Sequence, residues 1–280
     1  MNSMDLYDIT SLKISRLTTK NYSTSFSMGV RLLQKHYRLP IYSIYGFVRV
    51  ADEIVDTFHD HDKRKLLEEF KRDTFEAIEH RISTNPILHS FQWVVNNYNI
   101  DHALIHAFLD SMEMDLTERD HNEESFKKYV YGSAEVVGLM CLRVFYHDDD
   151  EGYQAQIYPA RKLGEAFQKI NFLRDIRSDY TERGRFYFPG VDLQNFTHDS
   201  KKAIEEDIRN DFEEAYRGIR NLNRASRLGV LVSYTYYLKL FRKIQRTSAD
   251  RIFSKRYRIS NLRKFILLGS LWTRYQLGLA

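Results

Sequence analysis

The stretch Gly164-Glu165-Ala166-Phe167-Gln168-Lys169-Ile170-Asn171-Phe172-Leu173-Arg174-Asp175-Ile176-Arg177-Ser178-Asp179 decides how this chain is read. Successive residues of an α-helix turn by about 100°, so residues three, four and seven apart stack on one side. With Gln168 as the zero direction, Asn171, Asp175 and Asp179 fall within roughly 60° of it by that turn angle, and Gly164 adds no bulk there. Ala166, Ile170, Leu173 and Ile176 cluster toward the other side and suit a core. The segment is therefore a helix with a polar, acidic stripe on one face.

An earlier stretch, Tyr45-Gly46-Phe47-Val48-Arg49-Val50-Ala51-Asp52-Glu53-Ile54-Val55-Asp56, repeats the design. Tyr45, Arg49, Asp52 and Asp56 share a face, with Ile44, Val48, Ala51 and Val55 displaced from it. Two such stripes facing each other would form an oxygen-rich cage for hard divalent ions and a polyphosphate. Like charges one turn apart cost a wet helix only about 0.2–0.5 kcal/mol per pair. In an enclosed cavity, desolvated carboxylates need cations beside them. Arg49 and Arg174 supply part of that charge and Mg²⁺ the rest, with Asn171 as a neutral oxygen ligand. No Cys/His set has zinc spacing. An interhelical salt-bridge network is the structural alternative.

The Asp-x-x-x-Asp spacing by itself decides little, since it occurs four times: Asp52/Asp56, Asp56/Asp60, Asp175/Asp179 and Asp207/Asp211. Asp60 lies in His59-Asp60-His61-Asp62, a polar cluster just past a helical pattern. Asp207 and Asp211 stand in a charge-dense run and are expected to face solvent. Asp52 and Asp175 are set among apolar residues.

The chain has 280 residues, 43% of them hydrophobic, with only 4 Pro and 12 Gly. Apolar residues recur mainly at helical spacing, which predicts an almost wholly α-helical protein. Helical patterns run over about 21–34, 40–58, 62–81, 101–118, 124–145, 152–181, 197–223, 225–249 and 259–277. No repeat or Pro/Gly/Ser-rich linker divides them, so one domain over 1–280 is expected, with 1–19 as an N-terminal extension and 259–280 as an amphipathic C-terminal helix. No segment is long and apolar enough to span a bilayer, and the N-terminus lacks a secretory apolar core. A single cysteine, Cys141, suits a reducing cytoplasm. A net charge of +4 permits contact with anionic lipid or phosphate but does not indicate a nucleic-acid binder.

The two signatures, Tyr45–Asp56 and Gly164–Ile176, closely resemble those of the squalene/phytoene synthase family. Three more blocks match in order: Ser23-Thr24-Ser25-Phe26, Tyr131-Gly132-Ser133-Ala134-Glu135-Val136-Val137-Gly138 and Arg183-Gly184-Arg185-Phe186-Tyr187-Phe188-Pro189. The resemblance covers roughly residues 20–270 and implies an all-α isoprenoid-synthase bundle around a central cavity. It further implies head-to-head condensation of two allylic prenyl diphosphates. By motif position, Asp52, Asp56, Asp175 and Asp179, with Asn171, would hold Mg²⁺ (or Mn²⁺) and its diphosphate. Arg49, Arg174 and Arg185 would neutralise phosphate oxygens, and Ser23 and Ser25 would donate to one diphosphate. Tyr45, Tyr131, Gln168 and Tyr237 would line the reaction cavity.

The physics agrees with these roles. An allylic C–O bond breaks when the charge growing on the diphosphate is stabilised. The carbocation left behind is destroyed by water, so the cavity must be apolar and closed. Aromatic faces stabilise passing cations, and the chain carries 18 Phe and 19 Tyr.

Two positions depart from the family pattern: Ser178 stands where many relatives carry an acid, and Glu135 replaces the first Gly of an Ala-Gly-x-Val-Gly block. No Gly-rich dinucleotide fingerprint is present, so no NADPH is expected. The expected activity is the reductant-free conversion of two geranylgeranyl diphosphates to phytoene. Alternatives are a dehydrosqualene or hydroxysqualene synthase using farnesyl diphosphate, a non-catalytic assembly factor and a class I cyclase. The basic tail Arg258–Trp272 reads as a final packing helix or as a peripheral membrane contact. The oligomeric state is left open.

Overall fold

Side chains that cap helices mark most of the starts. Ser23 accepts from the Phe26 N–H, Asp62 from Lys65, Asp101 from Ala103, Asp149 from Gly152, Thr197 from Ser200 and Asn223 from Ser226. Asn85 caps a helix whose first residue is Pro86, where the missing N–H costs nothing. Asn122 and Ser125 form a reciprocal capping box.

The computed structural model describes residues 3–191, 196–254 and 256–276. In chain order it has α1 (Ser3–Tyr22), α2 (Thr24–Leu32), α3 (Lys35–Asp56), α4 (Lys63–His80), α5 (Pro86–Tyr98) and α6 (His102–Thr117). Then α7 (Glu123–Val130) runs through a π-helical turn (Tyr131–Glu135) into α8 (Val136–Phe145). After these come α9 (Asp150–Arg183), α10 (His198–Asn221), α11 (Arg224–Gln245), a 3₁₀ turn (Ala249–Ser254) and α12 (Asn261–Gln276). Among the described residues the only β pairing is an isolated parallel bridge between Asp120 and Phe186. The all-α expectation holds.

The core centres on Phe47 of α3, fully buried and stacked on Phe91 of α5 at 3.8 Å between ring centroids. Phe70 of α4 and Phe108 of α6 flank it at 5.5 and 5.4 Å. Burying a side chain of this size is worth about 1.5–3 kcal/mol. This cluster fixes the apolar back of α3, so the other face, with Tyr45 through Asp56, is turned toward α9.

Two helices were not among the expected segments. The buried face of α1 is built from Leu12 and three small polar residues, Ser11, Ser15 and Thr19, which an apolar-period reading passes over. Two of them are satisfied inside: Ser15 Oγ lies 2.6 Å from Ser90 Oγ, and Thr19 Oγ1 donates to the Ser15 and Tyr42 carbonyls. Residues 3–19 are packed on α3 and α5. Helix α5 buries Ile87 through Gln92 on every side, so it shows no stripe.

The C-terminal helix packs its apolar side against α11, Leu267 and Leu271 meeting Leu228 and Val232. Residues 1–2 and 277–280, the ends of the expected extension and tail, lie outside the described residues.

Candidate active site

Helices α3 and α9 bring their stripes to one chamber. Tyr45, Arg49, Asp52 and Asp56 from α3 line a cavity of about 860 Å³ together with Gln168, Asn171, Arg174, Asp175 and Asp179 from α9. Ser23 and Ser25 at the start of α2, Arg185 past the end of α9, and Tyr237 of α11 complete that wall. A second cavity of about 280 Å³ continues inward, with Leu33, Ile44, Leu142, Phe145 and Leu222 among its apolar walls. The two share Phe26, Tyr45, Phe167, Gln168, Asn171 and Tyr237, so a polar chamber opens directly into a greasy one.

Cations already stand beside the acids, as buried carboxylates require. Arg49 bonds Asp52 at 2.6 Å and also pairs with Glu53, while its guanidinium lies 4.4 Å over the Tyr22 ring. Arg174 holds Asp175 at 2.5 Å. Arg256, from the segment after the 3₁₀ turn, forks onto the same carboxylate at 2.6 and 3.2 Å. Arg185 reaches Asp56 at 3.0 Å and Asp115 at 3.1 Å through one nitrogen. Its place follows from the end of α9, where the Arg185 N–H bonds the Asp179 carbonyl at 2.9 Å. Ser178, the departure noted in the sequence, turns its hydroxyl back to the Asp175 carbonyl.

Asp115 was not singled out by sequence reading. It is buried under the chamber and accepts from the Tyr129 hydroxyl at 2.9 Å and from Tyr187 at 3.3 Å. Burial pushes its carboxyl up to about 7; the Arg185 cation opposes this and the Asp56 charge adds to it. The available signal was an acid three residues from Met112 on the apolar side of a helix. Arg256 carried no comparable signal. Burial also raises the Tyr45 and Tyr237 phenols, so both face the chamber as neutral donors.

Tyr131 is not brought into either cavity wall. Its ring lies 5.2 Å beneath the Arg161 guanidinium, and Tyr129 lines the chamber in its stead. Glu135 is buried and bonded to Arg161 at 2.6 Å.

Asp211 also corrects a sequence expectation. It is 2% exposed, gripped between α9 and α10 by Lys162 at 2.8 Å and Lys169 at 2.7 Å. Asp207 is exposed yet pairs with Lys169, and Glu165 bonds both lysines at 2.7 Å. Burial pulls the Lys162 ammonium down, but Asp211 and Glu165 overcome it and raise it. Among the described residues, Glu165, Asp207 and Asp211 are the only group of three or more His, Cys, Asp or Glu side chains with ligand atoms within 4.8 Å of one another. Two ammonium groups occupy that set, so it is a structural ion network. The stripe acids are instead spread around the chamber wall. That dispersal suits Mg²⁺, which usually takes one or two carboxylates plus substrate phosphates rather than an all-protein cage.

A family model described as squalene/phytoene synthase matches residues 19–263. A 4,4'-diapophytoene synthase of Staphylococcus haemolyticus is 30% identical over 199 residues, covering 69% of this chain and 67% of that protein. A 15-cis-phytoene synthase of a Synechocystis species is 29% identical over 302 residues, covering 94% of this chain and 85% of that one. Among solved structures, a dehydrosqualene synthase bound to a ligand superposes with a TM-score of 0.82 at 22% identity, over 98% of this chain and 99% of the other. At that identity the match speaks for the fold.

Proposed function

The chain belongs to the squalene/phytoene synthase family, prenyltransferase-type synthases that act on prenyl diphosphates, and from that premise we propose that it joins two geranylgeranyl diphosphates head to head, through prephytoene diphosphate, to phytoene. The observation that carries this reading is the junction of the two cavities: a charged chamber for diphosphates set against an apolar one for hydrocarbon chains.

Asp52, Asp56, Asn171, Asp175 and Asp179 form an all-oxygen donor set around the chamber and fit Mg²⁺, or Mn²⁺, carried with the diphosphates. Bound there, the ion would neutralise the diphosphate and favour its departure. Arg49, Arg174, Arg185 and Arg256 stand where leaving oxygens gain charge and can transfer from carboxylate to phosphate. Ser23 and Ser25 offer hydroxyls at the same wall. Tyr45 and Tyr237 sit at the junction; Phe26 stacks on Tyr45 at 4.7 Å and Phe167 on Tyr237 at 3.9 Å. Those faces can stabilise an allylic cation while the apolar walls keep water away. No group on the walls is needed as a nucleophile, because the second substrate's double bond plays that part.

The longer substrate is favoured because the relative matched over nearly the whole chain is named a phytoene synthase. A second reading, condensation of two farnesyl diphosphates, draws on the relative named 4,4'-diapophytoene synthase. Purified protein with Mg²⁺ and either substrate, without NADPH, separates them when products are identified by mass. Phytoene from the longer substrate is expected; a thirty-carbon product alone transfers the function to the shorter one. No diphosphate release from either ends the synthase reading.

A peripheral membrane contact belongs to this proposal too, and α11 adds a cationic strip beside the tail. Leu267 and Leu271 of α12 pack on α11 while Ile266 is exposed, and no helix among the described residues is long and apolar enough to cross a membrane. On α11, Lys239, Arg242, Lys243 and Arg246 follow one another at helical spacing, and all are exposed. Lys243 bonds the Arg258 carbonyl at 2.6 Å, which brings exposed Arg258 alongside. A cationic strip of this kind suits an anionic lipid surface.

A further inference from the structure

Four polar side chains form a hydrogen-bonded belt at the neck between the two cavities. The Tyr237 hydroxyl donates to Asn171 Oδ1 at 3.3 Å, Asn171 Nδ2 to Gln168 Oε1 at 3.3 Å, and Gln168 Nε2 to Ser133 Oγ at 3.1 Å. All four line both cavities. The belt thus crosses from α11 over α9 to the π-turn, at the height where a diphosphate ends and its hydrocarbon begins. Its last link, Ser133, accepts from Gln168 Nε2; without it only the 3.3 Å bond from Asn171 would hold the Gln168 amide out of the hydrocarbon path.

What holds Ser133 there is the π-turn itself. The Val136 N–H reaches back to the Tyr131 carbonyl, inserting one extra residue and turning the following face by about 100°. Such a turn is confined on two sides. A Cβ on Gly132 would stand 2.4 Å from the Ala107 carbonyl of α6, and one on Gly164 would stand 2.8 Å from the Ala134 carbonyl. Behind the turn, Glu135 bonds Arg161 of α9 at 2.6 Å, and the same guanidinium covers the Tyr131 ring. Glu135 stands where the resembled block carries glycine, so the ionic link is a feature of this chain. Burial raises the Glu135 carboxyl while Arg161 opposes the shift, as for a paired buried acid.

We propose that the Glu135–Arg161 pair is a positioning latch: it holds the π-turn so that Ser133 anchors Gln168, and the belt so fixed seats the reacting ends of the two prenyl chains. The inference rests on the condensation proposed above. Its consequence falls on the second half of the reaction, when the cyclopropyl intermediate loses its diphosphate and the resulting cation must rearrange. A loose Gln168 lets the intermediate escape as its diphosphate. It also lets water add its oxygen to the cation, lose a proton and leave an alcohol.

Ser133→Ala removes the anchor without touching the chamber's charges. Hydrocarbon kcat is expected to fall about tenfold with KM within about twofold, while the share of product released as cyclopropyl diphosphate or alcohol rises about fivefold. Ser133→Thr, which keeps the hydroxyl, should stay close to wild type in both respects. A Ser133→Ala enzyme with wild-type kcat and product ratio overturns the belt.

The latch has a readout of its own. Glu135→Gln should speed amide hydrogen exchange across residues 131–138 by about tenfold while α6 is unchanged. Unaltered exchange there overturns the latch. If the wild-type protein releases no diphosphate at all, the condensation reading fails, and the exchange measurement still decides the latch.

Discussion

Asp52 and Asp175 are the residues on which the proposed chemistry turns. Each is held by an arginine at 2.6 and 2.5 Å and faces the same chamber. Asp52→Ala or Asp175→Ala should lower turnover by about a hundredfold to a thousandfold, the scale seen when a key electrostatic stabiliser is lost. Far-UV circular dichroism should be unchanged, because neither side chain is part of the core. A loss of helical signal would favour a structural role for the pair. Asp115 makes a different prediction. Its carboxyl is raised from the ordinary carboxylate range to about 7, so the folded state binds the proton more tightly than the unfolded state. Stability from this group is therefore fully present below about pH 4 and is lost as pH rises toward 7, by at most about 4 kcal/mol. Asp115→Asn should flatten that part of the profile in thermal melts at pH 5 and 7.5; an identical slope in both proteins would exclude Asp115 as its source. At this scale the sequence told which acids sit on a stripe. It did not reveal Asp115, because a lone acid on an apolar face looks the same whether it is buried under a site or turned to solvent.

Helix α9 is the element that does most to shape the site. One face carries Gln168, Asn171, Asp175 and Asp179 toward the chamber, and its back packs Ala166, Ile170, Leu173 and Ile176 into the core. A third side carries Lys162, Glu165 and Lys169 to Asp211 of α10. Removing one member of a buried ion group leaves its partners uncompensated, so Asp211→Ala should destabilise the fold by about 3 kcal/mol in urea unfolding. A change under about 0.5 kcal/mol would mean that Glu165 and Asp207 suffice for both lysines. The charge-dense run around Asp211 looked solvated in the sequence. The residues between its acids, Ile208 and Phe212, are what bury that face. Conversely, α1 went unread because its buried side is mostly serine and threonine, with Ser15 bonded to Ser90 of α5 and Thr19 to the α3 backbone.

At the scale of the molecule, the cationic strip on α11 predicts behaviour with lipid. The protein should cosediment with vesicles containing phosphatidylglycerol and not with pure phosphatidylcholine, and 0.5 M salt should release it, as screening shrinks the Debye length to a few ångströms. Lys239→Glu with Arg242→Glu should abolish binding while turnover of detergent-dispersed substrate stays unchanged; retained binding would place the contact elsewhere. The sequence by itself determined that the chain is helical, that two of its helices carry matched acidic stripes, and that five ordered blocks are those of one family. These are properties of spacing along a single helix, which 3.6 residues per turn fixes without reference to any neighbour. Only the tertiary structure decided that the stripes share a chamber opening into an apolar cavity, that Tyr129 lines its wall and Tyr131 does not, and that Asp115 and Arg256 join it. Those facts depend on which helix packs against which and on one extra residue in a π-turn, and no periodicity in the chain records either.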